Sequence, residues 1–200
     1  MEITHKGNTL KIIRGIYNFN SVKEDTALTI GSFDGVHLGH QMVLSDLKAA
    51  ALKRGLKSAV MIFEPQPQEY FSGEKAPARL MRLRDKLKTF CDSGIDIVVC
   101  LRFDDSLRNL TADAFISIII NGLYAKHLII GDDFRFGCDR SGDFKMLQNS
   151  GKLNNFTVQQ MRTFDVDDKR VSSTSIRKAL IESKFDLAAK LLGKPFEVVG

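Results

Sequence analysis

The chain has 200 residues, 44% hydrophobic and 26% charged, which is typical of a globular protein with one domain of roughly 180 residues plus a tail. Its longest apolar stretches are only strand-sized, so we expect no membrane partner, and no signal-peptide pattern is visible at its start. The net charge is +5, and the three cysteines lack zinc-type spacing, which predicts free thiols in a reducing, cytoplasmic setting.

Strand-like and helix-like segments alternate along the chain. Apolar, β-branched runs predict strands at 10–13, 27–31, 58–63, 96–101, 126–130 and 156–161. Apolar residues at helical spacing predict helices at 40–53, 80–91, 111–121, 173–183 and 185–192. The alternation predicts an α/β protein whose mostly parallel sheet is covered by helices on both faces.

The second predicted strand leads into a turn and then into the motif His37-Leu38-Gly39-His40. Two imidazoles three residues apart at the start of a helix lie close to free backbone N–H groups, which bind anions readily. Gly39 lets a phosphate approach the backbone closely. A zinc hydrolase motif would need a different spacing and a Glu, although an ordinary polar helix start is also compatible with the pattern. The context favours a polyphosphate site.

A second candidate phosphate motif is VSSTSIR, near the other end of the chain. Ser172, Ser173 and Thr174 supply hydroxyl groups and favourable helix caps, and Arg177 falls in the first turn of the predicted helix. The guanidinium fork of arginine suits phosphate. By itself the segment also fits a Ser-capped helix with a surface arginine.

A third candidate site is GDDFRFG, which follows the predicted strand 126–130. Carboxylates at the carboxyl end of a parallel strand can accept hydrogen bonds from ribose or adenine, or help to hold a cation. The alternative is a loop with a capping Asp and packed Phe side chains. Because GxGxxG and GxxxxGK[ST] are both absent, the sequence favours neither dinucleotide binding of the Rossmann type nor P-loop chemistry.

The densest basic run spans residues 79–88. Leu80, Leu83 and Leu87 recur at helical spacing within it, so one face of this helix is predicted to lie in the core and the charges to form a solvated face. This interpretation predicts no nucleic-acid partner. A weaker alternative is that Arg79 or Arg82 reaches anionic substrates.

In this order and spacing, the motifs resemble the FMN adenylyltransferase (FAD synthetase) module of the bacterial bifunctional riboflavin kinase/FAD synthetase family. The matching segments are LTIGSFDGVHLGH, MIFEPQPQEYF, KAPARLMRLRDKL, LTADAFI, IIGDDFRFG and VSSTSIRKAL, which together lie within residues 10–199. HxGH alone indicates only the wider nucleotidyltransferase superfamily. The chain departs from common family residues at Ser32, Gln66 and Asp133.

The resemblance implies a Rossmann-like nucleotidyltransferase (HxGH) fold that transfers AMP from ATP to FMN, giving FAD and pyrophosphate, with Mg²⁺ accompanying ATP and no metal bound by the protein itself. The implied catalytic residues are His37, His40, Ser173, Thr174 and Arg177. The implied ATP-binding residues are Gly31, Phe33, Gly39, Gly131, Asp133 and Ser172. Pro65, Pro67, Phe103 and Phe136 are the implied contacts of the flavin.

The resemblance also divides the chain into an adenylyltransferase domain at 1–188 and a segment at 189–200 that is similar to the linker and first strand of the riboflavin kinase module. That module is expected in full-length family members and is missing after residue 200 here, so we expect the chain to use FMN but not riboflavin. The alternatives are a nucleotidyltransferase with another phosphorylated acceptor, a non-catalytic flavin-binding module and a basic nucleic-acid binder.

Overall fold

The computed structural model describes residues 1–138, 140–161, 165–166 and 169–197 of the chain. Its strands are β1 (Glu2–His5), β2 (Asn8–Arg14), β3 (Thr26–Ile30), β4 (Lys57–Glu64), β5 (Ile97–Arg102), β6 (Ala125–Ile130), β7 (Thr157–Gln160), β8 (Asp165–Val166) and β9 (Lys169–Arg170). Its helices are α1 (Leu38–Arg54), α2 (Pro67–Ser72), α3 (Leu83–Asp92), α4 (Asp105–Arg108), α5 (Ala112–Ser117), α6 (Phe144–Asn154), α7 (Ser173–Ile181) and α8 (Phe185–Leu192). All six predicted strands and all five predicted helices are present, with shifted boundaries.

Seven strands form one sheet in the order β1-β2-β5-β4-β3-β6-β7. Only the pairing of β1 with β2 is antiparallel among these, and the other five pairings are parallel. The prediction of a mostly parallel α/β sheet is therefore confirmed. Strands β8 and β9 form a separate antiparallel pair.

Both faces of the sheet are buried. Successive residues of β4 alternate between two cores, with Ala59 and Met61 on one face and Val60 and Ile62 on the other. The first core includes side chains of α5 and α6, and the second includes side chains of α1 and α3. This explains why the strands are nearly continuous apolar runs, as expected for a sheet with helices on both sides.

The carboxyl-terminal helices pack as one unit. Ala188, Leu191 and Leu192 of α8 are buried with Ile176 of α7. Residue 188 lies within α8, so the packed unit includes the whole helix, and the division of the chain after that residue stays a prediction. Of the predicted tail, residues 198–200 lie outside the described residues. Within the described residues, no helix is long and apolar enough to cross a membrane.

Candidate functional site

The predicted motifs meet at one edge of the sheet. Because β3, β4, β5 and β6 run parallel, the loops that follow them open on the same side. These loops carry the HxGH motif, the FEPQP segment, Phe103 and the GDDFRFG segment, in that order. The convergence expected from the alternation of elements is confirmed.

The histidine motif forms the start of α1. His37 is the N-cap residue, and its Nδ1 atom accepts a hydrogen bond of 3.3 Å from the backbone N–H of His40. An imidazole that accepts at Nδ1 carries its proton at Nε2 when it is neutral. The Nε2 atom of the neutral His37 then carries a hydrogen that can be donated.

The two imidazoles stack on each other. Their ring centroids are 3.6 Å apart and the rings are inclined by 14°. Phe33 lies against His40 at 4.9 Å and against Phe90 at 5.6 Å, and its side chain is only 3% exposed. The ring of Phe33 therefore supports the histidine pair from the core, and a contact of Phe33 with adenosine stays a prediction.

Burial keeps both histidines uncharged at neutral pH. It lowers the pKa of His37 from 6.5 to about 4, against smaller opposing effects of a backbone hydrogen bond and Asp34. Burial also lowers the pKa of His40, with further contributions from His37 and Lys86. The Nδ1 atom of His40 is buried and has no hydrogen-bond partner in the described part of the chain. A bound phosphate would supply negative charge beside both rings and a hydrogen-bond partner for Nδ1 of His40.

The turn before α1 holds unusual backbone conformations. Phe33 and Val36 have φ angles of 49° and 40°, and Gly35 between them has 81°. A positive φ is especially unfavourable for a β-branched residue such as Val36. Strain of this kind, on the order of 1–3 kcal/mol per residue, persists where surrounding contacts fix the backbone and is common at ligand sites.

The VSSTSIR motif forms the start of α7, as predicted. It contacts residues 31–40, which comprise the turn before α1 and the HxGH motif and are called the histidine turn below. Ser172 caps the helix and accepts a hydrogen bond from the backbone N–H of Ser175 at 3.1 Å. The hydroxyl of Ser173 donates to the backbone carbonyl of Asp34 at 2.9 Å, and Thr174 is exposed. The two phosphate-type motifs are thus direct neighbours although they lie far apart in the sequence.

Arg177 lies at the contact between α7 and the turn before α1. Its guanidinium pairs with the carboxylate of Asp34 and donates through Nε to the carbonyl of Ala78 at 2.7 Å. Sequence reasoning missed Asp34, which is 3% exposed. A phosphate-binding role of Arg177 remains a prediction, since part of its donor set is used within the protein.

The prediction of a solvated charged face in the basic run is confirmed for Arg82, Arg84 and Lys88, which are exposed, but it is wrong for Lys86. Lys86 is 1% exposed, and its ammonium donates to the carbonyl of Ser32 at 2.7 Å. Arg79 pairs with Glu64 and Glu69, so its guanidinium is engaged within the protein rather than directed at a substrate. The sequence signal for the burial of Lys86 is its helical spacing, three residues after Leu83 and four before Phe90, which places it on the apolar face of α3. Burial lowers the pKa of Lys86, and Asp34 opposes the shift.

The GDDFRFG segment follows β6 at the same edge. The carboxylates of Asp132 and Asp133 lie 3.3 and 3.4 Å from Nη2 of Arg170 in β9. Gly131 is half-buried next to Asp133. No group of three or more His, Cys, Asp or Glu side chains in the described ranges is placed to hold a metal ion.

An aromatic cavity of about 450 Å³ opens beside these loops. It includes three of the four predicted flavin contacts, Pro67, Phe103 and Phe136. The fourth, Pro65, lines a neighbouring cavity of about 830 Å³, so the structure does not place it with the others. Sequence reasoning missed further lining residues, including Phe63, Phe71 and Arg108. The guanidinium of Arg108 lies 5.7 Å from the ring centroid of Phe71.

Comparisons with known proteins agree with this geometry. Residues 19–175 match the family model described as FAD synthetase. The chain is 47% identical over 192 residues to the bifunctional riboflavin kinase/FMN adenylyltransferase of Pseudomonas fluorescens, covering 96% of this chain and 61% of that protein. It is 48% identical to the protein of the same name from Haemophilus influenzae, covering 96% of this chain and 62% of the relative.

A similar solved structure is titled "Crystal Structure of Macrolide-efflux Protein from Streptococcus pneumoniae". It matches with a TM-score of 0.78 and 25% sequence identity, covering 94% of this chain and 62% of that one. The chain thus spans about three fifths of the length of the proteins it matches. Because the family model covers most of its residues, the chain belongs to the FAD synthetase family.

Proposed function

We propose that the chain is an FMN adenylyltransferase, which transfers AMP from ATP to FMN and releases pyrophosphate. The observation that carries the proposal is the contact between Ser173 and Asp34, which places the start of α7 against the HxGH turn. Two phosphate-type motifs therefore share one edge of the sheet with an aromatic cavity. The names of the relatives include this activity, and the matched region is the FAD synthetase region.

The reaction needs no nucleophile from the protein. A phosphate oxygen of FMN attacks the α-phosphorus of ATP in line and forms the new P–O bond. The bond between the α-phosphorus and the bridging oxygen breaks, and pyrophosphate leaves with the electron pair. Catalysis then depends on alignment of the two phosphates and on stabilisation of the charge that develops on them.

The histidine turn is our candidate for the α-phosphate. His37 would donate from Nε2, and His40 has the buried, unpartnered Nδ1 atom. Backbone N–H groups at the start of α1, next to Gly39, would add donors. Neutral imidazoles can bind a phosphate without first releasing a counterion. The negative charge of the phosphate then favours their protonated form.

The start of α7 is our candidate for the β- and γ-phosphates. Ser172, Ser173 and Thr174 bring hydroxyl groups to this end of the helix, and Arg177, which is paired with Asp34, brings the guanidinium N–H groups that this pairing leaves over. Mg²⁺ would arrive with ATP and be held largely by phosphate oxygens and water. It would supply further charge neutralisation at the leaving group.

The two organic groups of the substrates need separate sites. The adenosine would lie against Gly31, Gly131 and Asp133, where a carboxylate can accept from ribose or adenine. The flavin ring would enter the aromatic cavity, whose volume of about 450 Å³ is in the usual range for small-molecule sites. Pro67, Phe103 and Phe136 are its candidate contacts.

The free thiols support a reducing compartment, so we place the enzyme in the cytoplasm. Cys91, Cys100 and Cys138 are all unpaired, and the first two are buried. We propose no nucleic-acid partner, because Lys86 and Arg79 of the basic run are engaged within the fold.

The decisive experiment is chromatography of flavins after incubation of the purified chain with ATP and Mg²⁺, with FMN in one arm and riboflavin in the other. FAD should form from FMN only, because riboflavin lacks the attacking phosphate. FMN that stays bound but unconverted would contradict the proposal and favour a flavin-binding module. Consumption of ATP with another phosphorylated acceptor, but not with FMN, would indicate a different nucleotidyltransferase.

A further inference from the structure

Asp34 connects three segments that are distant in the sequence. Its carboxylate accepts hydrogen bonds from the backbone N–H groups of Leu80, at 3.1 Å, and Met81, at 3.2 Å. The same carboxylate pairs with Arg177, and the backbone carbonyl of Asp34 accepts from Ser173. A single residue of the histidine turn thereby holds the segment before α3 and the first turn of α7.

The pairing with Arg177 is buried on the side of Asp34 and half-buried on the side of Arg177. The side chain of Asp34 is 3% exposed and that of Arg177 is 17% exposed. A charge in such a place needs a partner, because its hydration has been lost. Nε of Arg177 is also fixed by the carbonyl of Ala78, so two bonds set the plane of the guanidinium.

The position of Asp34 gives these bonds a consequence for the site. Asp34 is three residues before His37, and its partners Ser173 and Arg177 belong to the second phosphate-type motif. A shift of α7 relative to α1 would move hydroxyl and guanidinium groups away from the histidine pair. Misplacement of about 1 Å can cost about 100-fold in rate even when it arises away from the reacting atoms.

We propose that Asp34 is a positioning residue, which fixes Arg177 and the start of α7 relative to the pair His37 and His40. The inference rests on the proposed adenylyl transfer, since it concerns alignment of the α-phosphate with the β- and γ-phosphates. The carboxylate and the backbone carbonyl of Asp34 are both engaged within the protein. Asp34 acts through Arg177 and through the backbone of residues 80 and 81.

The test is a double-mutant cycle with Asp34→Asn and Arg177→Met. Asn keeps the size of the side chain, one acceptor oxygen and the backbone carbonyl used by Ser173, so the change removes the charge and the second acceptor oxygen that orient Arg177. We expect kcat/KM for ATP to fall by about 100-fold in Asp34→Asn, while KM for FMN changes little. The double variant should lose no more than the more damaging single variant, because the two residues act as one unit.

Asp92→Asn is the matched control. Asp92 ends α3 and pairs with His5 at the far end of the sheet, so this variant should keep the wild-type constants. Multiplicative losses in the double variant, or wild-type kinetics in Asp34→Asn, would overturn the proposal. Equal losses for ATP and FMN, together with a lowered melting temperature, would indicate a role in folding alone.

A measurement on the unaltered protein covers the case in which Asp34→Asn does not fold. Hydrogen exchange of the Leu80 and Met81 amides reports the contacts of the Asp34 carboxylate directly. They should remain protected when sodium pyrophosphate or ATP with Mg²⁺ is added, because Asp34 keeps its position in the complex. Faster exchange on addition would refute the proposal, whereas absence of FAD formation by the wild-type chain would refute the proposed function instead.

Discussion

The rings of His37 and His40 lie nearly parallel with centroids 3.6 Å apart, and burial keeps both uncharged at neutral pH. Two charged imidazoles at this distance would repel each other. The neutral pair is stable in the free protein, and a polyanion that binds to it makes protonation more favourable. At neutral pH, we therefore expect the pair to gain positive charge more readily when a polyanion is bound than in the free protein.

His40 is the first residue to substitute. We expect His40→Ala to lower the rate of FAD formation by about 100- to 1000-fold, because a donor to the transition-state phosphate is lost. Thermal unfolding should show that the variant is folded, because the His40 residue is partly exposed to solvent and its removal leaves little core volume empty. The control is His5→Ala on the edge strand β1, which should retain activity. Normal turnover in His40→Ala would remove the role assigned to this histidine.

The low pKa of His37 makes the stability depend on pH. The unfolded chain binds a proton at His37 below about pH 6.5, whereas the folded protein does so only near pH 4. The contribution of His37 to the free energy of unfolding is therefore fully present above pH 6.5. It is lost as the pH falls to about 4, and the free energy of unfolding then decreases by up to about 3 kcal/mol.

Urea unfolding between pH 7.5 and 4, comparing wild type with His37→Asn, measures this contribution. Asn preserves an N-cap acceptor for the helix, so the variant should differ mainly in having a shallower loss of stability in acid. The other titrating groups are shared by the two proteins, whereas His40 loses the repulsion of a charged His37 in the variant, which makes the loss of stability in acid shallower still. Parallel curves would mean that His37 is not desolvated as described.

Arg79 should matter for the flavin side of the site. It holds Glu64, at the end of β4, and Glu69, in the first turn of α2, on either side of Pro65 and Pro67. Its removal leaves two half-buried carboxylates without their shared cation. We expect Arg79→Met to lower the free energy of unfolding by about 2 kcal/mol and to raise KM for FMN more than KM for ATP.

The matched control for Arg79 is Arg84→Met, an exposed arginine of α3. A surface substitution of this kind should stay within about 0.5 kcal/mol of wild type. Equal effects of the two variants would show that the Arg79 network contributes nothing specific to the loop after β4.

Local signals were sufficient for the elements that carry the site. Helix starts with caps and hydroxyl or histidine side chains, as at His37 and Ser172, depend on neighbours within a few residues. The alternation of buried strands with helices was enough to predict that their loops meet. Long-range contacts were not predictable this way, because the pairing of Arg177 with Asp34 spans 143 residues.

The elements that sequence reasoning missed have weak patterns of their own. Helix α6 contains Gly151 and several polar residues, and it depends on the Asp143 cap and on packing of Leu147. Helices α2 and α4 have only 6 and 4 residues, too few to show helical periodicity. Phe71 belongs to α2, which is why an important wall of the aromatic cavity was not predicted.

Phe71 allows a test of which cavity binds the flavin. Its ring is 62% exposed and meets Phe103 at a centroid distance of 5.6 Å on the wall of the smaller cavity. Stacking of an aromatic ligand there is worth about 0.5–1.5 kcal/mol beyond the buried area. We expect Phe71→Ala to raise KM for FMN by about tenfold, with KM for ATP and the stability little changed.

Tyr17→Ala is the corresponding control in the larger cavity, because Tyr17 is an equally large aromatic residue that is 82% exposed and lines that space. FMN titrations and steady-state kinetics of both variants separate the two sites. If Tyr17→Ala weakened FMN and Phe71→Ala did not, the flavin would belong in the larger cavity, with Pro65 rather than with Pro67 and Phe103. The opposite result is expected, since only the smaller cavity surrounds its contents with aromatic rings on several sides.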